Sequence, residues 1–118
     1  MNVYLAGPMQ NIKDFNFPAF KRAALLLRRA GHSVFNPAEK DVEKHGKKIF
    51  KSKTGSLTEL QSKDSQFSLR TALAADTQYI CLEADAIALL PGWENSKGAQ
   101  AEWALARALG HKIIYLTS

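Results

Sequence analysis

Glu102 is a carboxylate at a position where helical spacing predicts a buried, apolar side chain. Ala99, Glu102, Ala106 and Leu109 follow +3, +4, +3 spacing, so in a helix they share one face. A carboxylate among core positions is costly unless it is paired or used in chemistry. Glu102 is therefore either a reactive group or a buried structural residue paired with an Arg or a Tyr, and the spacing favours neither interpretation.

Asp76 is a second carboxylate on a predicted buried face. Leu69, Leu73, Asp76 and Ile80 recur at +4, +3, +4. An ion pair with a nearby residue such as Arg70 would give Asp76 a purely structural role. Two carboxylates together suit chemistry at an anomeric carbon, where an oxocarbenium-like transition state needs a negative charge on one face and an acid on the other.

Short apolar runs and turn residues predict the elements that position these carboxylates. Helices are predicted from Asn16-Phe17-Pro18 to Gly31, over about residues 66–82, and from a cap at Asn95 or Ser96 to Gly110. The predicted strands are 3–6, 33–35, 86–90 and 112–116. This order predicts an α/β fold: an open, parallel, four-stranded sheet with helices on both faces, a Rossmann- or flavodoxin-like three-layer sandwich.

Ligands bind such sheets beyond the carboxyl ends of the strands. After the first strand this edge carries Gly7, Pro8 and Met9, and after the second it carries Asn36 and Pro37. Gly7 could let a ligand approach the backbone closely, although a plain turn is the preferred interpretation of Gly-Pro.

The turn after the third predicted strand leads into a helix N-terminus, which favours a phosphate. Ser96 and Gly98 suit phosphate binding, but they are equally ordinary capping residues. Gly92 and Trp93 belong to the same turn, and the indole of Trp93 could stack on a base or simply form a wall. The chain lacks both the Gly-Lys-Ser/Thr ending of a P-loop and the Gly-x-Gly-x-x-Gly of dinucleotide sites.

A Lys-rich insert at about residues 38–65 interrupts the regular pattern. Its lysines are Lys40, Lys44, Lys47, Lys48, Lys51 and Lys53. We predict a solvated loop with some helix near residues 39–47, and a basic flap over an anionic substrate is the alternative. A nucleic-acid-binding surface is a further hypothesis, but the lysines lack repeated aromatic interleaving, which argues against a nucleic-acid partner.

Composition narrows the class of protein. A chain of 118 residues, 46% hydrophobic and 23% charged, predicts one globular domain over residues 1–118. The net charge of +5 favours anionic partners. Cys81 has no second cysteine to pair with, and His32, His45 and His111 lack metal-site spacing, so neither metal nor cofactor is expected. No apolar run is long enough to span a bilayer, and no signal peptide is recognisable. We therefore expect a cytoplasmic protein without membrane contact.

The motifs at residues 4–9, Asp76, residues 85–87 and residues 96–102 resemble those of the nucleoside 2-deoxyribosyltransferase superfamily. That group includes the 2′-deoxynucleoside 5′-monophosphate N-glycosidases. The core LLPGW-x-x-S-x-G-A-x-x-E looks most like a small standalone branch, often phage-associated and of unassigned function. The resemblance extends over the whole chain apart from the Lys-rich insert.

This resemblance implies roles for individual residues. Glu102 matches the nucleophile that takes C1′ of the sugar, Asp76 matches the Asp that handles the sugar or serves as acid/base, and Tyr4 matches a tyrosine near the nucleophile. Ser96 matches a phosphate contact of the monophosphate hydrolases, which implies a small-molecule nucleotide substrate. A deoxyribosyltransferase and a non-catalytic nucleotide-binding module remain alternatives to an N-glycosidase.

The resemblance also implies a homo-oligomer, because members of the superfamily often borrow a residue from a neighbouring subunit. That residue comes from C-terminal sequence, whereas this chain ends directly after its last predicted strand, so we expect the contribution to be missing or to come from elsewhere. Trp103 lies off the Glu102 face and is a candidate for the subunit contact.

Overall fold

The computed structural model describes residues 1–117 and contains a four-stranded, all-parallel sheet in the order β2-β1-β3-β4. The strands are β1 (Asn2–Ala6), β2 (Ser33–Phe35), β3 (Ala86–Leu89) and β4 (Lys112–Tyr115). Tyr4 on β1 lies opposite Phe35 of β2 and Ile87 of β3. Because the chain goes from β1 to β2 on one side and continues on the other side of β1 at β3, the strand order reverses between β1 and β3.

Helices connect these strands. They are α1 (Phe17–Arg29), α2 (Pro37–His45), α3 (Leu57–Lys63), α4 (Leu69–Leu82) and α5 (Lys97–Ala108), with short 3-10 turns at Lys13–Asn16, Lys48–Phe50 and Trp93–Asn95. No helix within residues 1–117 is both long and apolar enough to cross a membrane.

Alternating side chains of the strands form an apolar core on each face of the sheet. Val3 and Leu5 of β1 pack with residues of α1, whereas Tyr4 and Ala6 pack on the other face with residues of α4 and α5. The predicted three-layer α/β sandwich is therefore confirmed. Tyr4 points toward the layer that carries both predicted carboxylates.

The Lys-rich insert is more ordered than predicted. It contains α2, a 3-10 turn and α3, and it contributes Phe50 and Leu60 to a third apolar cluster, which consists of Phe15, Phe50, Leu60 and Phe67. The predicted helix near residues 39–47 is present as α2, but the prediction of a solvated loop for the rest of the insert is wrong, because its helices are too short to show clear periodicity and are stabilised by tertiary packing. All six lysines are exposed, so the solvated part of the prediction applies to the side chains.

The predicted buried face of α5 is correct for three of its four residues. Ala99, Glu102 and Ala106 are buried, and only 6% of Glu102 is exposed. Leu109 is 46% exposed because it lies beyond the last helical residue, where the spacing no longer fixes its direction. Leu69 is exposed at the first position of α4, so the predicted buried face of that helix begins later.

Candidate functional site

A cavity of about 620 Å³ opens at the carboxyl ends of the strands, beside the reversal in strand order. The loop after β1, the start of α2, the buried side of α4 and the first turns of α5 form its walls. A location at this edge is expected of an open parallel sheet. The volume lies within the range of small-molecule sites.

Glu102 and Tyr4 form the most buried polar contact in this cavity. The Tyr4 hydroxyl donates a hydrogen bond of 2.7 Å to Oε2 of Glu102. Burial, followed by the negative charges of Glu102 and Asp76, holds the pKa of Tyr4 well above its usual value, so the phenol remains a donor. The predicted pairing of Glu102 with a tyrosine is thus present, and the same carboxyl group lines the cavity.

Asp76 lines the cavity from α4. Within residues 1–117 it forms no ion pair with Arg70 or any other cation, so the structural explanation considered for it is not supported. Within residues 1–117 the Asp76 carboxyl group makes no hydrogen bond of ordinary length. It nevertheless lies close enough to Tyr4 and Glu102 for both side chains to affect its pKa.

Burial dominates the protonation of both carboxyl groups. It raises the pKa of Asp76 to about 6, against the opposing influence of Tyr4 and Glu102. It raises the pKa of Glu102 to about 8, where the Tyr4 hydrogen bond opposes the shift and the charge of Asp76 adds to it. The two groups therefore share protons near neutral pH, as coupled acids do.

Asp41 is a third carboxyl group in the cavity, and the sequence analysis missed it. It lies on α2, in the segment that was predicted to be mostly loop. Burial and the charge of Asp76 raise its pKa to about 7, against the opposing charge of Lys44. The sequence does carry a signal for this helix, since Asn36-Pro37 is a typical helix start, and Asn36 indeed caps α2 by accepting a hydrogen bond from Ala38 N–H. Asp41 lies four residues after Pro37 and therefore on the same side of the helix, and both residues line the cavity.

The N-terminus of α5 supplies a polar wall of the cavity. Ser96 caps the helix by accepting a 3.2 Å hydrogen bond from Ala99 N–H through Oγ. Asn95, Ser96, Lys97 and Gly98 all line the cavity. The free N–H groups of the first turn and the charge of Lys97 make this wall favourable for an anion.

The other predicted binding residues divide into two groups. Gly7, Pro8 and Met9 line the cavity, whereas Gly92 and Trp93 lie outside its lining. A Cβ at Gly7 would come within 2.7 Å of the Leu90 side chain, so close packing of neighbouring strand ends explains this glycine better than approach of a ligand.

Trp93 packs in an aromatic group away from the cavity. Its ring centroid lies 5.1 Å from that of Trp103 and 6.3 Å from that of Tyr115, and the Arg107 guanidinium lies over the Trp103 ring. These contacts support neither base stacking by Trp93 nor a wall role in the cavity, because Trp93 packs with other aromatic side chains outside the lining. Gly92, just before it, adopts a left-handed φ of 86° that forms the turn after β3.

The Lys-rich insert contributes apolar groups to the cavity. Phe50, Leu57 and Leu60 line it, whereas none of the six insert lysines does. Phe50, the aromatic residue among those lysines, is 3% exposed and is not available for stacking at the surface. A basic flap directly over the substrate is therefore not supported by the arrangement of the described residues.

No group of three or more His, Cys, Asp or Glu side chains within residues 1–117, including the three cavity carboxyl groups, has an arrangement that could hold a metal ion.

Comparison with known proteins identifies the family of the chain. Residues 1–115 match the family described as "Domain of unknown function (DUF4406)", and the chain belongs to that family. No curated protein and no solved structure matches the chain. The family description names no activity, so any function must be argued from the site itself.

Proposed function

We propose that this DUF4406 protein is an N-glycosidase that cleaves the base–sugar bond of a (deoxy)nucleoside 5′-monophosphate. The observation that carries the proposal is the buried carboxyl group of Glu102, which lines the cavity while accepting the Tyr4 hydrogen bond. The resemblance to the nucleoside 2-deoxyribosyltransferase superfamily assigns the nucleophile to this residue, and the site itself is the only test of that analogy.

Glu102 has the environment of a positioned nucleophile. Attack on C1′ requires its ionised form, and the Tyr4 hydroxyl stabilises that form by donating to Oε2. The same hydrogen bond fixes one carboxyl oxygen and leaves the other free to form the bond to C1′. Burial of the carboxylate makes its negative charge more effective against the positive charge that develops on the sugar.

The cavity lining has a polar part and an apolar part, which suit the phosphate and the base of a nucleotide. The N-terminus of α5, with Ser96 and Lys97, suits the 5′-phosphate. The aromatic side chains of Phe15, Phe50 and Phe67 suit an apolar, planar base in the apolar part. The excess of basic residues in the chain agrees with an anionic substrate.

Water completes the proposed reaction by attacking C1′ of the glycosyl-enzyme, which releases the sugar phosphate and frees Glu102. If a second base intercepts that intermediate, the same site is a deoxyribosyltransferase. A site that binds nucleotides without turnover is the third possibility. The proposed subunit contact through Trp103 and the proposed cytoplasmic location belong to the same hypothesis and do not affect the chemistry at Glu102.

The test is a panel of ribo- and deoxyribonucleosides and their 5′-monophosphates, incubated with and without an acceptor base. We expect the wild type to release free base from a monophosphate, as followed by chromatography. Glu102→Gln should lower the rate by roughly 10³-fold or more, because the amide cannot form a stable glycosyl ester while its carbonyl still accepts the Tyr4 hydrogen bond.

Glu94→Gln is the matched control, since it makes the same chemical change at an exposed glutamate. It should leave the rate unchanged. Exchange of bases without net release would identify a transferase, and saturable binding with no product from any substrate would contradict an enzymatic role.

A further inference from the structure

We propose that Asp41 is a third catalytic residue, the acid that protonates the departing base. The role rests on the proposed N-glycosidase function and adds to the two carboxyl groups that the resemblance assigns. Asp41 lines the cavity from α2, and its neighbour Val42 packs against the third apolar cluster. The helix that carries Asp41 therefore borders the apolar part of the cavity lining, where the base is expected.

Asp41 differs from the other acidic residues of its helix because it has no partner. Glu39 forms an ion pair of 2.7 Å with Arg28, and Glu43 lies 3.7 Å from Lys40. Within residues 1–117, Asp41 makes neither an ion pair nor a hydrogen bond, although it is half-buried. A half-buried carboxyl group without a partner is costly, so folding alone gives no reason for it.

The groups around Asp41 favour a protonated carboxyl group. Asp76, on α4, faces it with a negative charge, and only Lys44 on its own helix opposes this influence. Asp76 also raises the pKa of Glu102, so it is the common neighbour of the other two acids. Tyr4 donates its hydrogen bond to Glu102, which favours the charged form of Glu102, whereas Asp41 accepts no hydrogen bond within residues 1–117 that would favour its own charged form.

The proton balance of the reaction is complete with these groups. As ionised Glu102 forms its bond to C1′, the C1′–N bond breaks and its electron pair stays on the base, which takes the proton of Asp41. Water then attacks C1′ and gives a proton back to Asp41, while the ester bond breaks and Glu102 leaves as a carboxylate. Asp76 remains available for the sugar hydroxyl groups.

The experiment compares substrates whose bases need a proton to leave with substrates whose bases do not. One pair is deoxyguanosine 5′-monophosphate and its N7-methylated, cationic derivative, and the other is deoxyuridine 5′-monophosphate and its 5-nitro derivative. Asp41→Asn should lower base release from the ordinary nucleotide by about 10²-fold or more, the usual contribution of a general acid. Release from the activated partner should fall by less than about tenfold, after subtraction of the spontaneous rate.

Glu43→Gln is the control on the same helix and should change neither rate. Asp41→Ala provides the same comparison if the asparagine variant does not fold, and circular dichroism reports folding for both. Equal losses on both substrates of a pair, or no loss on either, would overturn the role of Asp41 while the glycosidase function stands. A wild type that releases no base from these four nucleotides or from any member of the wider nucleoside and nucleotide panel would overturn the glycosidase function and, with it, this role.

Discussion

Carboxyl groups in the cavity decrease the stability of the fold at neutral pH. Asp41, Asp76 and Glu102 each have a raised pKa, chiefly because burial disfavours the charged form. The Tyr4 hydroxyl offsets part of this cost at Glu102 alone. Destabilising groups of this kind are typical of catalytic sites, because a reactive group must be held in an environment that disfavours its charged form.

The pH dependence of stability follows from the sign of these shifts. A carboxyl group whose pKa is raised in the folded state binds protons more tightly there than in the unfolded chain. Its contribution to stability is therefore complete below the unfolded pKa near 4 and is lost as pH rises through about 8, the folded pKa of Glu102. Glu102→Gln removes this loss, so at pH 8 to 9 we expect it to be more stable than the wild type by on the order of 2–4 kcal/mol.

Urea unfolding at a series of pH values, followed by circular dichroism, measures this difference. Near pH 3 the two proteins should have similar free energies of unfolding, because Glu102 is then protonated and uncharged in both states. Glu94→Gln, at an exposed position, should follow the wild type at every pH. A constant difference between Glu102→Gln and the wild type from pH 4 to pH 9 would contradict the raised pKa.

At the scale of elements, the strands and the long helices could be predicted from the sequence. The run at residues 86–90 is continuous and apolar because β3 is covered on both faces, and Ser96 was recognisable as a cap. The burial of Glu102 also follows from its helical spacing, whereas only the resemblance implied that Tyr4 lies near it. The sequence could not decide whether Glu102 is a reactive group or a structural residue paired with an Arg or a Tyr, because periodicity gives no distance between elements.

The insert could not be predicted in the same way. Its helices α2 and α3 are short, and the many lysines hide the few apolar positions that hold it to the rest of the chain. Asp41 was missed although some helix was predicted near residues 39–47, because no apolar periodicity showed which side of that helix faces the rest of the chain. Packing of Phe50 and Leu60 against Phe15 and Phe67 depends on residues distant in the sequence, which no local pattern reveals.

The N-terminus of α5 gives a prediction about substrate phosphorylation. Ser96 Oγ accepts from Ala99 N–H, so its hydroxyl hydrogen is free to donate to a phosphate. Ser96→Gly should raise KM for the 5′-monophosphate about tenfold, because a hydrogen bond to a charged group contributes roughly 1.5–3 kcal/mol. KM for the corresponding nucleoside should change little, and steady-state kinetics on both substrates would measure the effect.

Ser96→Ala separates this contact from the capping role. It also removes the hydroxyl, but alanine is a poor cap and costs about 0.5–2 kcal/mol of stability, whereas glycine costs a few tenths. Both variants should therefore have the same KM for the monophosphate and differ in thermal stability. Equal increases in KM for the nucleoside and its monophosphate would show that Ser96 acts on the helix alone.

At the scale of the molecule, the cavity lies between the sheet and the insert. The loop after β1 holds the insert through backbone hydrogen bonds, from Asp14 N–H to Ser52 O at 2.7 Å and from Asn11 N–H to Gly55 O at 2.9 Å. Ser52 N–H in turn donates to Asp14 Oδ1 at 2.8 Å. Asp14, Phe15 and Asn16 adopt left-handed backbone angles in this loop, so the contact with the insert maintains a strained conformation.

The third apolar cluster gives the last prediction, because its buried residues differ from those of the two clusters on the sheet, and Met9 and Phe17 are the side chains that pack against both it and the first sheet cluster. Phe50→Ala should open the insert without unfolding the sheet, so that amides in residues 46–67 exchange faster while those of β1 and β3 stay protected. Ile87→Ala, a truncation on the central strand β3, should instead lower protection throughout the sheet by about 2–5 kcal/mol. Hydrogen exchange followed by mass spectrometry distinguishes these patterns. Loss of protection across β1 and β3 in Phe50→Ala would mean that the insert and the sheet unfold as one unit. Since Phe50 also lines the cavity, its truncation should in addition weaken nucleotide binding.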